Sequence, residues 1–206
     1  MSDKEKSYTD YLDKTFLEEL NYKVWSTKGS RFNASTRLNQ TAKLSNLCSN
    51  LLSVYLIALS LLSVYDICDE ASFDRNTIAY SITCLSILLL VFRQIEKAKE
   101  HHNCGLELSR IYNDLRIYKT LNTENTEKGK KDFAVNITDK YQSILEKYTN
   151  HISIDIDLFK TRNAKYHKLS KLDVFKIKIR YFRKTDLVYY VLISLPPIII
   201  FFTLFY

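Results

Sequence analysis

Apolar positions along the chain collect into three uncharged runs set among densely charged segments. Leu44–Tyr65 and Asn76–Phe92 lie side by side, with only Asp66–Arg75 between them. At about 1.5 Å per helical residue they would extend about 33 Å and about 26 Å, against a hydrocarbon core of about 30 Å. The pattern predicts a transmembrane helical hairpin, with a buried soluble hairpin as the alternative. The third run, Leu187–Tyr206, is long enough for a further span of about 30 Å. Its Pro196–Pro197 pair removes two backbone donors and predicts a kink at mid-depth, or else a re-entrant or interfacial tail.

Between these runs the apolar residues recur at helical spacing. Tyr11, Phe16, Leu17, Leu20 and Val24 predict a helix that continues from about Tyr8 to Tyr65, bent or broken near Gly29–Ser30. Ile111, Leu115 and Tyr118 predict that Arg93–Leu121 is helical, and Thr123–Lys131 reads as a polar loop. Ile137, Tyr141, Ile144, Leu145 and Tyr148 define another helix that ends near Asn150. The segment HISIDIDLF alternates like a strand, yet it also fits an Asp-capped helix start. In Lys168–Lys184, Leu172, Phe175, Ile179 and Phe182 form an apolar stripe among Lys and Arg. This pattern belongs to a membrane-surface helix, and nucleic acid is the competing partner.

The fold class expected is therefore all-α: a membrane helical hairpin with long cytoplasmic helices and a third, C-terminal membrane segment. Four regions follow: 1–43, N-terminal and helical; 44–92, the hairpin; 93–186, helical with the basic amphipathic segment; and 187–206, apolar. The scarcity of Gly (3) and Pro (2) agrees with long helices and argues against glycine-rich phosphate loops.

Charge orients the hairpin. Asp66, Asp69, Glu70 and Asp74 make its loop acidic, whereas Lys28, Arg31, Arg37 and Lys43 precede it and Arg93, Lys97 and Lys99 follow it. Basic flanks stay cytoplasmic, so both ends, and with them the N-terminus, are expected inside. The net charge of +7 is read as topology and lipid attraction, with nucleic acid an unlikely direct ligand.

The first run carries Ser45, Ser49, Asn50, Ser53 and Ser60, a polar stripe at about four-residue spacing. Small hydroxyls allow close helix packing; in an oligomer, the same stripe could line a water-filled path. Trp25 and Phe32, seven apart, share a helix face. Trp25 would lie about 28 Å along a straight helix from the membrane run, too far for an interface anchor, so it is assigned to protein packing. With Arg31 and Arg37 it forms the candidate assembly and gating set. His101, His102 and Cys104 are close in sequence, but adjacent helical residues diverge by about 100°, so packing is preferred to metal binding. The four cysteines include no CxxC pair, Asp155 and Asp157 have no catalytic companions, and no nucleophile triad or phosphate loop is found. No enzyme activity, cofactor or metal is expected. No secretory signal precedes the first run, which would serve as its own insertion signal.

Tyr22, Trp25, Lys28, Arg31, Ala34, Arg37 and Leu38, followed by the hairpin and then by Tyr148, Asn150, His151 and Asp155, resemble the SLATT domain family over about Leu20 to Asp155. The resemblance is nearest to the subfamily that accompanies reverse transcriptases. It implies a bacterial inner-membrane, multi-pass effector of an antiviral, abortive-infection system. Such effectors are proposed to form pores or depolarise the membrane as homo-oligomers under a sensor or reverse-transcriptase partner. The alternative is a non-enzymatic membrane anchor or adaptor that presents a cytoplasmic helical platform.

Overall fold

The structure is a computed structural model that describes residues 15–64, 94–121 and 126–205. Within these, no side chain is described at 56, 58–64, 94–96 or 199–205. The second apolar run, the acidic loop and the side chain of Ser60 lie outside the described residues. Every regular element described is helical: α1 Phe16–Val64, α2 Gln94–Leu121, α3 Glu127–Lys147, α4 Ser153–Arg162, α5 Lys171–Thr185 and α6 Leu187–Phe205. The all-α expectation agrees with this. Among the described residues no helix is long and apolar enough to cross a membrane.

Local capping explains where the helices begin. The Thr15 N–H donates to the Glu18 carboxylate at 3.2 Å, which opens α1 with the reciprocal half of a capping box. Ser170 and Asp173 do the same for α5: the Asp173 N–H donates to Ser170 Oγ at 3.1 Å, and the Ser170 N–H to Asp173 Oδ2 at 3.1 Å. Hydrogen bonds from the Ser170 side chain and backbone hold the Asp173 carboxyl below its ordinary range. Thr126 caps α3 by accepting from the Gly129 N–H at 3.3 Å. The predicted loop over 123–131 therefore gives way to helix at Glu127, and Gly129 sits in a first turn. Asp155 accepts from the Ile152 N–H at 3.2 Å, so HISIDIDLF resolves as a capped helix start and not a strand.

Two units divide the chain, the first with residues up to Arg37 and Glu96–Arg180, the second with Leu38–Ile95 and Tyr181 onward. In the first unit, Leu20 and Val24 of α1 pack with Ile111 and Leu115 of α2 and with Ile137 of α3. In the second, Cys48 and Leu52 of α1 pack with Tyr189, Leu192 and Ile193 of α6, and Tyr55 joins them.

Helix α1 runs unbroken through Gly29. The expected break is replaced by a close approach: a Cβ on Gly29 would stand 2.2 Å from Cδ2 of Phe159 on α4. Gly105 of α2 makes a similar approach to the Phe32 ring, where a Cβ would lie 2.8 Å from Cε1. Buried positions on α1 recur every seven residues: Val24, Arg31, Leu38, Ser45 and Leu52 are all buried. Leu20, Ala34, Thr41 and Cys48 add the companion positions of an a/d-like seam. Polar Arg31, Thr41 and Ser45 on this seam hide it from a purely apolar count.

Helix α6 continues through Pro196 and Pro197. A proline at 197 leaves the Ile193 carbonyl without its usual i+4 donor. The Tyr55 hydroxyl points to that carbonyl at 3.5 Å.

Candidate functional site

The first unit buries a knot of charged and polar side chains. Arg37 of α1 meets Asp155 of α4 through two parallel bonds, Nε to Oδ1 at 2.9 Å and Nη2 to Oδ2 at 3.1 Å. The Asp155 side chain is fully buried. The same carboxylate caps α4, and the Asp155 backbone carbonyl accepts from Asn33 Nδ2 at 3.0 Å. One acidic residue thus ties α1 to the start of α4 through the strong geometry of a bidentate guanidinium–carboxylate pair.

Arg31 is also fully buried, but its acceptors are neutral. Nη1 donates to the Thr149 carbonyl, Nη2 donates to Asn150 Oδ1 at 3.2 Å, and Nη1 stands 3.3 Å from Nδ1 of His101 on α2. A guanidinium can only donate, so His101 accepts through Nδ1 and carries its proton on Nε2. Burial pushes the His101 pKa down, and Arg31 beside it acts in the same direction. Burial, followed by Arg31, lowers His151 to about 4. Both imidazoles are therefore neutral near pH 7, and the Arg31 cation is held by dipoles.

Around the knot, Trp25 packs edge-on against Phe159 at 4.6 Å and Tyr166 at 5.5 Å, and Tyr22 stacks on Tyr166 at 6.0 Å. Phe32 meets His102 edge-on at 5.6 Å. Glu107 of α2 accepts from Lys147 and from the Tyr148 hydroxyl, each at 2.7 Å, and these bonds hold its carboxyl below the ordinary range. Among the described residues no group of three or more His, Cys, Asp or Glu side chains converges as metal ligands.

The residues singled out from the sequence therefore separate into two sets. Trp25, Arg31, Phe32 and Arg37 all lie in the first unit, but their partners are within the chain: rings for Trp25 and Phe32, the knot for the two arginines. Their positions lend no support to a role as contacts between copies. Ser45, Ser49, Asn50 and Ser53 lie in the second unit and do not behave as one face: Ser45 is buried, Ser49 half-buried, and Asn50 and Ser53 exposed. The Ser53 hydroxyl donates to its own helix, to the Ser49 carbonyl at 2.9 Å. The periodicity alone did not show that Asn33, His101 and Thr149 complete the knot. The available signal was Arg31 itself, a cation seven residues from both apolar Val24 and apolar Leu38.

Described residues whose regular elements are all helical, a buried arginine–aspartate lock and long uncharged segments have the makings of a membrane-associated helical module. The chain belongs to the family described as SMODS and SLOG-associating 2TM effector domain family 5, which it matches over residues 13–203. The match extends beyond the Leu20–Asp155 resemblance, through α5 and nearly all of α6, and it does not assign the reverse-transcriptase-associated subfamily. Membership places the protein among membrane-associated effector domains of conflict systems. No curated protein and no solved structure matches the chain.

Proposed function

We propose that the protein acts without catalysis, as a self-assembling effector that breaches the bacterial inner membrane when a sensor or reverse-transcriptase partner releases it. The observation that carries this reading lies on the uncharged half of α1. Cys48, Leu52 and Tyr55 pack with α6, whereas Asn46, Asn50 and Ser53 are exposed. Amide and hydroxyl groups facing hydrocarbon are costly, so in a bilayer such a face calls for water or for another copy. Assembly of several copies supplies both. The first unit, with its buried lock, would stand on the cytoplasmic side, where the basic flanks place it. Nucleic acid has no part in this reading.

The test is membrane potential, followed with a voltage-sensitive dye in cells that express the chain with its genomic partner. Depolarisation on activation, weakened by Asn50→Leu and Ser53→Leu, supports a breach. An intact potential under an active partner sinks it. A second reading, an anchor or adaptor, is favoured by one contact: the Ser53 hydroxyl bonded back to Ser49. Under that reading the same substitutions leave partner recruitment unchanged and no current is seen.

A further inference from the structure

Helix α5 has two apolar sides, and among the described residues only one of them is covered. Val174, Ile177 and Tyr181 are half-buried and form its inward side. Leu172, Phe175, Ile179 and Phe182 recur at three- and four-residue spacing on the other side, and they are 70%, 61%, 43% and 42% exposed. This second stripe is the one that the sequence pattern assigns to a membrane-surface helix. On a helical wheel of about 100° per residue, Lys176 and Arg183 border it on one flank and Lys171 and Lys178 on the other. In all, α5 holds Lys171, Lys176, Lys178, Arg180, Arg183 and Lys184 against Asp173 alone. Arg180 is turned to Asp157 at 3.5 Å, and Asp173 is hydrogen-bonded by Ser170 while Lys176 also acts on its carboxylate, so the cations of α5 far outnumber the carboxylates beside them. Phe182 stacks on the exposed Tyr190 ring at 5.8 Å, which carries the stripe past Asp186 into uncharged α6.

We propose that the outward face of α5 is a docking surface for an anionic lipid headgroup layer. The helix lies in the plane of the membrane surface, with Leu172, Phe175, Ile179 and Phe182 inserted below the phosphates and Lys171, Lys176, Lys178 and Arg183 among them. The apolar stripe distinguishes this occupant from nucleic acid, which would meet a polar cationic face. Chain continuity with α6 distinguishes it from a free soluble partner. Four large side chains insert, and each flanking cation near an anionic surface adds about a factor of five to the attraction. The inference does not require the chain to conduct ions, so it stands or falls separately from the breach.

Full-length protein reconstituted in nanodiscs of phosphatidylcholine, with or without about one-third phosphatidylglycerol, is digested with trypsin, and cleavage after Lys176, Lys178 and Arg183 is timed by mass spectrometry. Cleavage should slow about tenfold in the anionic discs relative to the zwitterionic ones, and high salt should remove most of the difference. The exposed-site variant Lys171→Gln with Phe175→Ser and Phe182→Ser should lose the protection of its remaining sites while leaving cleavage elsewhere unchanged. Equal rates in both discs overturn the proposal. Protection in detergent that grows with protein concentration assigns the face to a second copy and overturns it too. So does protection by added RNA oligonucleotide with none from phosphatidylglycerol.

Discussion

Along α1, the segment before Leu38 buries charge and the segment after it exposes apolar surface. In the first, Arg31 and Arg37 are enclosed, with Asn33, His101, Thr149, Asn150 and Asp155 as partners. In the second, Leu47, Val54 and Ile57 stand exposed beside Asn50 and Ser53. A buried cation is tolerated only where directed acceptors replace its water, so the first segment is specified by particular partners. Apolar contacts have no direction, so the exposed apolar residues of the second segment carry no such specification. The contrast separates a region built for one internal arrangement from a region whose apolar side chains stand exposed among the described residues.

The sharpest way to break the contrast is to remove one half of the lock. Asp155→Ala, or Arg37→Met, leaves an uncompensated buried charge and should destabilise the first unit by about 3–5 kcal/mol. Chemical denaturation of the detergent-solubilised chain measures this, and a loss under 1 kcal/mol would show that the pair is dispensable. The double replacement Arg37→Met with Asp155→Leu should cost less than the sum of the single changes, because no orphan charge remains.

Next in size is Gly29→Ala, whose new methyl would press into the Phe159 ring; overpacking of this kind costs about 1–3 kcal/mol. Gly105→Ala meets the edge of Phe32 at a longer distance and should cost less in the same chemical denaturation. A larger loss at Gly105 than at Gly29 would reverse the reading of these two contacts.

A smaller effect comes from pH. His151 is held near 4 in the folded chain, below its ordinary 6.5. Between these values the unfolded chain binds a proton that the folded chain does not, so stability falls as pH drops through that window and is fully present above it. His101 is shifted in the same direction. His151→Gln should flatten the stability slope between about pH 6.5 and 4 relative to wild type, and an unchanged slope would exclude His151 as a contributor.

The smallest effect sharpens the second half of the comparison. Ser53→Ala removes an exposed hydroxyl bonded only to its own helix among the contacts described, and should change stability by less than about 0.5 kcal/mol. Any change in membrane potential caused by this substitution would then report on function and not on folding.

Much of the fold was legible in local pattern. Three-to-four spacing placed α2 and the body of α3, the Ser170–Asp173 pair now explains the start of α5, and the uncharged runs marked the C-terminal end of α1 and all of α6. These signals are carried by neighbours within a turn or two of helix. The ambiguous elements were also local: Gly29 was read as a bend or break because an isolated glycine weakens a helix, whereas α1 runs through it, and HISIDIDLF fitted both a strand and an Asp-capped helix start, of which the helix is found.

Of the candidate site, residue order named the members but not their pairing. Arg31, Arg37, His151 and Asp155 stood out, and the long uncharged runs with their basic flanks followed from the residue order alone. Tertiary packing determined that Arg37 meets Asp155 and that His101 accepts from Arg31, while the outward stripe of α5 was already expected from its pattern. The physical reason is separation along the chain. Helical periodicity relates residues three or four apart, whereas the partners of a buried charge are chosen by which distant helices pack together, here α1 with α2 and the start of α4.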